Sequence, residues 1–182
     1  NGNDFPLGKT TTYTYTRAFT DERLNHNLLT ITDPKGQLWL QNVYTSTTDA
    51  NDPVFDHVAR QVWGSPGDNV DVVYVAQTPV PGNNFATVKA IVNDRVGNVR
   101  EYSYDSMNRL VVAREFTGRA NADLPTTDAT NRPTGKLRPD DPDWFETRYE
   151  YDADSLRTRV SYPNGSSTRM VYEPSVNLCA PV

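Results

Sequence analysis

The sequence holds a single cysteine, Cys179, so it has no internal disulfide partner. A mini-domain stapled by disulfides is excluded. No apolar run is long enough to span a bilayer as a helix, and no signal peptide is recognisable. Lysines and arginines never cluster, and the formal net charge is -5. A phosphate-binding surface needs a basic patch, so nucleic acid is not an expected partner. Hydrophobic residues make up 36 %, which predicts a thin core and much polar surface. Histidine is scarce too, with only His26 and His57. There is no Gly-rich phosphate loop and no Gly-x-Ser-x-Gly elbow. Convincing helical periodicity is also missing. The best helical candidate is residues 54–63, with Val54, Val58, Ala59 and Val62 following Asp52-Pro53. The sequence opens at Asn1 without Met, as a fragment or a processed product would.

What is present favours strands and turns. Tyrosine is frequent at 10 residues, beside many Thr, Val, Asn and Asp. Tyr, Thr and Val suit pleated strands, while Asn, Asp, Gly and Pro suit turns. Residues 99–104 alternate, with Val99, Glu101 and Ser103 on one face and Tyr102 and Tyr104 on the other. Residues 157–162 place Thr158, Val160 and Tyr162 together, and 168–172 read as a further short strand. Residues 70–76 and 87–92 are β-branched runs suited to more buried strands. The expected class is all-β, built of antiparallel hairpins.

Four turns share one pattern, with Asp first and a turn residue fourth. They are Asp33-Pro34-Lys35-Gly36, Asp94-Arg95-Val96-Gly97, Asp105-Ser106-Met107-Asn108 and Asp152-Ala153-Asp154-Ser155. An aspartate in the first position accepts from the backbone two residues on, and Gly or Asn in the fourth takes positive φ. Ser155 fits this least well. Asn164-Gly165 reads as a hairpin turn of a different type. Tyr-x-Tyr pairs recur at Tyr13/Tyr15, Tyr102/Tyr104 and Tyr149/Tyr151, and the last two run into Asp105 and Asp152. Residues two apart share a face, so each pair packs along one side of a sheet. Two polar, Pro- and Gly-containing stretches interrupt the repeats, at 45–71 and at 118–143. The second reads as an insertion, an extended surface loop within a long hairpin.

Chemical candidates are sparse. His57 lies near Asp52 and Asp56, but a metal site needs three or more ligands and nothing further supports one. Asp140, Asp141 and Asp143, and separately Asp68 and Asp71, read as solvated loop carboxylates without EF-hand spacing. Paired carboxylates could serve glycoside hydrolysis. Glu101, Glu115, Glu146 and Glu150 read instead as cross-strand partners of Arg100, Arg148 and Arg159 or their neighbours. Glu101, Glu146 and Glu150 are expected to face solvent. Cys179 has no nearby histidine to activate it. Trp39, Trp63 and Trp144 read as packing residues, or as stacking platforms for sugars.

Tyr104-Asp105-Ser106-Met107-Asn108-Arg109-Leu110 resembles the Tyr-Asp-x-x-Gly-Arg-Leu core of the Rhs/YD-repeat family, with Asn108 in the glycine position. Asp94 to Gly97 and Asp33 to Gly36 are similar to the preceding turn of those repeats. The stretch from Val160 to Gly165, with Arg169 and Tyr172, is similar to another part. Tyr151-Asp152 departs from the pattern at the glycine position. The likeness covers roughly half the chain.

The resemblance implies antiparallel hairpins wound into a spiral or barrel-like shell, as in polymorphic toxins, Tc toxin shell components and teneurins. In the bacterial members the shell encloses a toxic C-terminal domain. Some members cut themselves at Asp-Pro-x-Gly-Leu. Asp141-Pro142-Asp143-Trp144 and Asp33-Pro34-Lys35-Gly36-Gln37 do not match it, so that activity is not carried over. The resulting expectation is a structural, non-enzymatic shell segment without cofactor, spanning 1–182 as a single region and secreted or extracellular in a bacterial setting. Its partners would be neighbouring repeats of a larger chain and an enclosed toxin domain, with no nucleic acid and no membrane span. A surface adhesin or carbohydrate-binding module is the second class. A glycosidase or self-processing protease is the third.

Overall fold

The computed structural model describes residues 8–64 and 68–172. It is all-β. Eleven antiparallel strands form one open sheet in sequence order, each hydrogen-bonded to the next. They are β1 (Thr12–Tyr15), β2 (Leu28–Thr32), β3 (Leu38–Tyr44), β4 (Val58–Trp63), β5 (Asn69–Ala76), β6 (Val88–Asp94), β7 (Asn98–Tyr104), β8 (Leu110–Arg119), β9 (Trp144–Tyr151), β10 (Arg157–Ser161) and β11 (Ser167–Arg169). Two single turns of 3₁₀ helix, at Glu22–Leu24 and Pro81–Asn83, complete the regular structure among the described residues. No helix among them is long and apolar enough to cross a membrane.

Register fixes what each face carries. In the middle of the sheet Ile91 pairs with Glu101, Glu101 with Arg114, and Arg114 with Glu146, so these four form one row on one face. The row beside it runs from Arg60 through Asp71 and Asn93 to Val99. The opposite face carries rows such as Tyr74–Ala90–Tyr102–Ala113–Thr147. Ile91 and Val99 are buried on the first face, and Ala90 on the second. The core is thin, as the composition requires, and depends on strand-to-strand contact more than on a second layer.

Residues 54–63 are not a helix. Asp52 caps a turn, accepting from the Val54 amide at 3.0 Å, and β4 begins at Val58. Arg60 and Val62 then pair with Val43 and Gln41 of β3. Val58 and Val62 suit a ladder as well as a helix, and the neighbouring strands decide between the two. The 120–143 stretch joins β8 to β9 without regular secondary structure, but it does not merely lie over the surface. It folds back across the sheet and buries Asn131 completely.

Candidate functional site

The four aspartate turns adopt one geometry. Asp33 Oδ1 accepts from the amides of Lys35 and Gln37 at 2.9 and 2.8 Å. Asp94 Oδ1 accepts from Val96 and Asn98, Asp105 Oδ1 from Met107 and Arg109, and Asp152 Oδ1 from Asp154 and Leu156, all between 2.8 and 3.0 Å. Gly36, Gly97, Asn108 and Ser155 hold positive φ of 78°, 79°, 57° and 63°. Ser155 therefore occupies the left-handed position despite its Cβ. The carboxylate organises the loop, and the fourth residue closes it onto the next strand.

Asn164-Gly165 belongs to the same turn geometry. The Gly165 amide donates to the Tyr162 carbonyl at 3.0 Å, and the Tyr162 amide to the Ser166 carbonyl at 2.9 Å. Gly165 has φ 81°, and Asn164 has no positive φ. Tyr162 stands where the other turns have aspartate. Its turn therefore lacks the first-position acceptor that the others possess, and Asn164 supplies one from the third position instead, accepting from the Ser166 amide at 3.0 Å.

Burial pushes the Asp105 carboxyl up, but hydrogen bonds from the Arg109 side chain and from the Arg109 and Met107 amides outweigh it, leaving Asp105 below the ordinary carboxylate value. Asp94 follows the same balance, with Asn98 and Val96 as donors. Arg109 also links two turns. It pairs with Asp105 at 2.8 Å, donates to the Asp152 carbonyl at 3.1 Å and lies over the Tyr151 ring, its central carbon 4.9 Å from the centroid.

A second repeated contact involves tyrosines that stand alone in the sequence as well as the paired ones. Tyr44, Tyr74 and Tyr151 each donate a hydroxyl to the carbonyl of the first residue of the preceding strand, namely Leu28, Val58 and Leu110, at 2.9, 3.0 and 2.9 Å. Tyr172 does the same to Arg157 at 2.9 Å. Burial pushes the Tyr74 phenol up to about 12, with Tyr104 adding to it. Tyr44 and Tyr74 stand outside the Tyr-x-Tyr pairs, so the pair pattern does not mark them. Of the paired tyrosines, Tyr13 and Tyr15 are exposed at 51 % and 42 %, while Tyr102, Tyr104, Tyr149 and Tyr151 are half-buried.

The densest polar cluster lies under the β8–β9 connection, and the sequence did not single it out as a cluster. Glu101 is buried, not solvent-facing as expected. Its Oε1 meets Arg132 Nη2 at 2.6 Å, and its Oε2 meets Lys89 at 3.1 Å and Arg114 at 3.7 Å. Arg114 continues to Glu146 at 2.5 Å, and Arg148 meets Glu146 at 2.7 Å. Burial raises the Glu146 carboxyl, but hydrogen bonds from Arg114 and Arg148 more than offset it and hold it below the usual value. Asp71 is a buried strand residue, not a solvated loop carboxylate. It engages Arg60 through Oδ1, and Asn69 at 2.9 Å and Thr126 at 2.5 Å through Oδ2. Asn93 donates to the Thr126 carbonyl at 2.9 Å. Asn131 donates to three carbonyls of its own segment, at Asn121, Leu124 and Pro125.

This arrangement pins the connection by charge and amide rather than by apolar burial. Both oxygens of Glu101, Glu146 and Asp71 are occupied by donors, so the cluster is a clasp that holds two chain segments together. Its sequence signal was polar residues at face positions of apolar strands, such as Asp71 within Val70-Asp71-Val72-Val73. Gly118 is required where the connection crosses β8. A Cβ there would lie 1.8 Å from the Gly135 carbonyl oxygen.

The remaining candidates are dispersed. His57 Nδ1 lies 2.6 Å from the Phe55 carbonyl oxygen, and the ring stands edge-on to Tyr74 at 5.1 Å. His26 has φ 75° in the β1–β2 loop, and its amide donates to Thr16. Asp56 accepts from Asn27, and Asp68 pairs with Arg95 at 2.6 Å. Asp143 lies 3.8 Å from Lys136, while the Asp140 and Asp141 side chains make no contact of this kind with it. Glu115 pairs with Arg100 at 3.4 Å and Glu150 with Arg159 at 3.6 Å across strands. Trp144 packs on Phe116 and lies beneath Arg114, whereas Trp39 is exposed at 59 %. Cys179 lies outside the described residues. No protein-family model and no curated protein matches the chain.

Proposed function

We propose that this chain is a structural shell segment of a secreted or delivered Rhs-type toxin-like protein, and that it encloses or presents another domain. The single observation that carries this reading is the sheet itself. Eleven strands follow in strict sequence order, joined again and again by one turn geometry, with no closing contact between β1 and β11. An architecture of this kind extends by adding hairpins at its ends. Both edge strands are short and exposed. Neighbouring repeats of a larger chain are the natural occupants of those edges. The polar clasp and the Arg109 link stiffen a wall that has no second layer. The test is the intact mass of the native protein, with its fragments sequenced by mass spectrometry. A product many times larger than 20.4 kDa, with a separate C-terminal fragment, agrees with the proposal. A native chain of 20.4 kDa alone contradicts it.

A second reading, a surface adhesin or carbohydrate-binding module, is favoured by one observation. Trp39 exposes 59 % of its surface on β3, on the face opposite Leu40 and its cross-strand partner Trp63. Binding on a glycan array that disappears with Trp39→Ala would select this reading.

A further inference from the structure

We propose that Asn164 is a site of spontaneous deamidation that loosens the outer edge of the sheet with time. Asn164-Gly165 is the only Asn-Gly pair among the described residues, and it occupies the exposed tip of the β10–β11 hairpin. The backbone nitrogen of Gly165 attacks the side-chain carbonyl carbon of Asn164 and gives up its proton to solvent. The side-chain amide leaves as ammonia, and a cyclic imide remains. Water then opens either imide carbonyl, giving aspartate or isoaspartate. No oxidant or enzyme is needed, and water is the only co-reactant.

Two features of the turn favour the attack. The carbonyl under attack already accepts two hydrogen bonds, from the Ser166 amide at 3.0 Å and the Ser166 hydroxyl at 2.7 Å. Donors placed on a carbonyl oxygen stabilise the negative charge that develops there when the carbon becomes tetrahedral. Gly165 also carries no side chain to crowd the attack, and a Cβ built on it meets nothing within 4 Å. One feature opposes the attack. The Gly165 amide donates to the Tyr162 carbonyl at 3.0 Å and must leave that bond first. The opening is local. β11 has three exposed residues and pairs only with β10, through Arg159–Arg169, Val160–Thr168 and Ser161–Ser167. Short exposed edges of this kind open at low free-energy cost.

The consequence follows from backbone geometry. Isoaspartate inserts an extra main-chain carbon between positions 164 and 165. The Gly165–Tyr162 bond then no longer closes, and the pairing of Ser161 with Ser167 slips. The edge strand detaches while β1 to β9 are untouched. Among the described residues β11 has no second neighbour, and a further strand docked on it, as the shell reading requires, would slow the opening.

The test is to age the purified full chain at mildly alkaline pH and locate amide-to-acid conversion by peptide mass spectrometry, with isoaspartate measured by protein isoaspartyl methyltransferase. The same sample is followed by hydrogen exchange. Asn164 is expected to convert several-fold faster than Asn108 and Asn84, which precede Arg109 and Phe85. Exchange is expected to rise in β10–β11 alone. Ser166→Ala removes one of the two donors and is expected to slow conversion roughly threefold to tenfold, the upper value matching about 1.4 kcal/mol. Conversion of Asn164 no faster than Asn108, or an unchanged rate in Ser166→Ala, overturns the proposal.

Discussion

Arg132, on the connection between β8 and β9, reaches across the sheet to Glu101 in the middle of β7, with Nε and Nη2 at 2.8 and 2.6 Å from Oε1. The contact joins the least regular part of the chain to its most regular part. Lys89 and Arg114 also serve Glu101, so Arg132→Ala leaves the carboxylate compensated and should cost about 1–2 kcal/mol, less than the ~3–5 kcal/mol typical when a buried pair loses its only partner. Glu101→Ala leaves three cations without their shared acceptor and should cost about 3 kcal/mol. Urea denaturation of both variants measures this. Equal losses would mean that the two residues act only as a pair.

Gly118 is the place where the connection crosses β8 at backbone distance. Gly118→Ala should destabilise by about 1–3 kcal/mol, as overpacking does. It should also raise hydrogen exchange in 120–143 while β6 and β7 stay protected. Gly135→Ala is the control, because a Cβ there meets nothing within 4 Å. Matching behaviour of the two variants would refute the crossing as the constraint.

Two turn carboxylates and one strand carboxylate set the acid limit of stability. Asp94, Asp105 and Glu146 are held below their ordinary values in the folded chain. A depressed folded value contributes stability above the unfolded value, near pH ~4, and that contribution is lost as pH falls through the folded one. Stability should therefore be level above pH ~5 and decline below ~4. Asp105→Ala removes the acceptor for the Met107 and Arg109 amides and should cost about 1–3 kcal/mol at neutral pH. Chemical denaturation across pH, with Asp105→Asn beside wild type, isolates the charge from the acceptor. The Asn variant should show a shallower acid decline.

How far these features could be read from the sequence depends on their range. The aspartate turns were legible because one carboxylate and the next four residues contain the whole geometry. The strands were legible for the same local reason, and residues 70–76 and 99–104 coincide closely with β5 and β7. The helix expected at 54–63 failed because β3 supplies a ladder that local propensity does not contain. Glu101 was placed on the correct side of its strand but in the wrong medium. Alternation tells which residues share a face, not whether a segment thirty positions away comes back to cover it. Asn131 and Arg132 looked like loop polarity for that reason.

The tyrosine contacts predict the alkaline limit. Tyr74 donates to the Val58 carbonyl and has its phenol raised to about 12. A raised folded value contributes stability below the unfolded value, near pH ~10, and that stability is lost as pH rises towards the folded one. The chain should weaken between pH ~10 and about 12, read by phenolate absorbance and circular dichroism together. Tyr74→Phe should cost about 1 kcal/mol at neutral pH and flatten that decline. An unchanged alkaline profile in Tyr74→Phe would assign the effect elsewhere.

The shell reading rests on the two sheet edges being joined to further strands in the native protein. Hydrogen exchange of the native full-length protein, resolved to the β1 and β11 segments, addresses this directly. The account predicts that the amides of Thr12–Tyr15 and Ser167–Arg169 are protected as well as those of β6 and β7. Exchange of both edge strands at the rate of open, solvent-facing amides would contradict it.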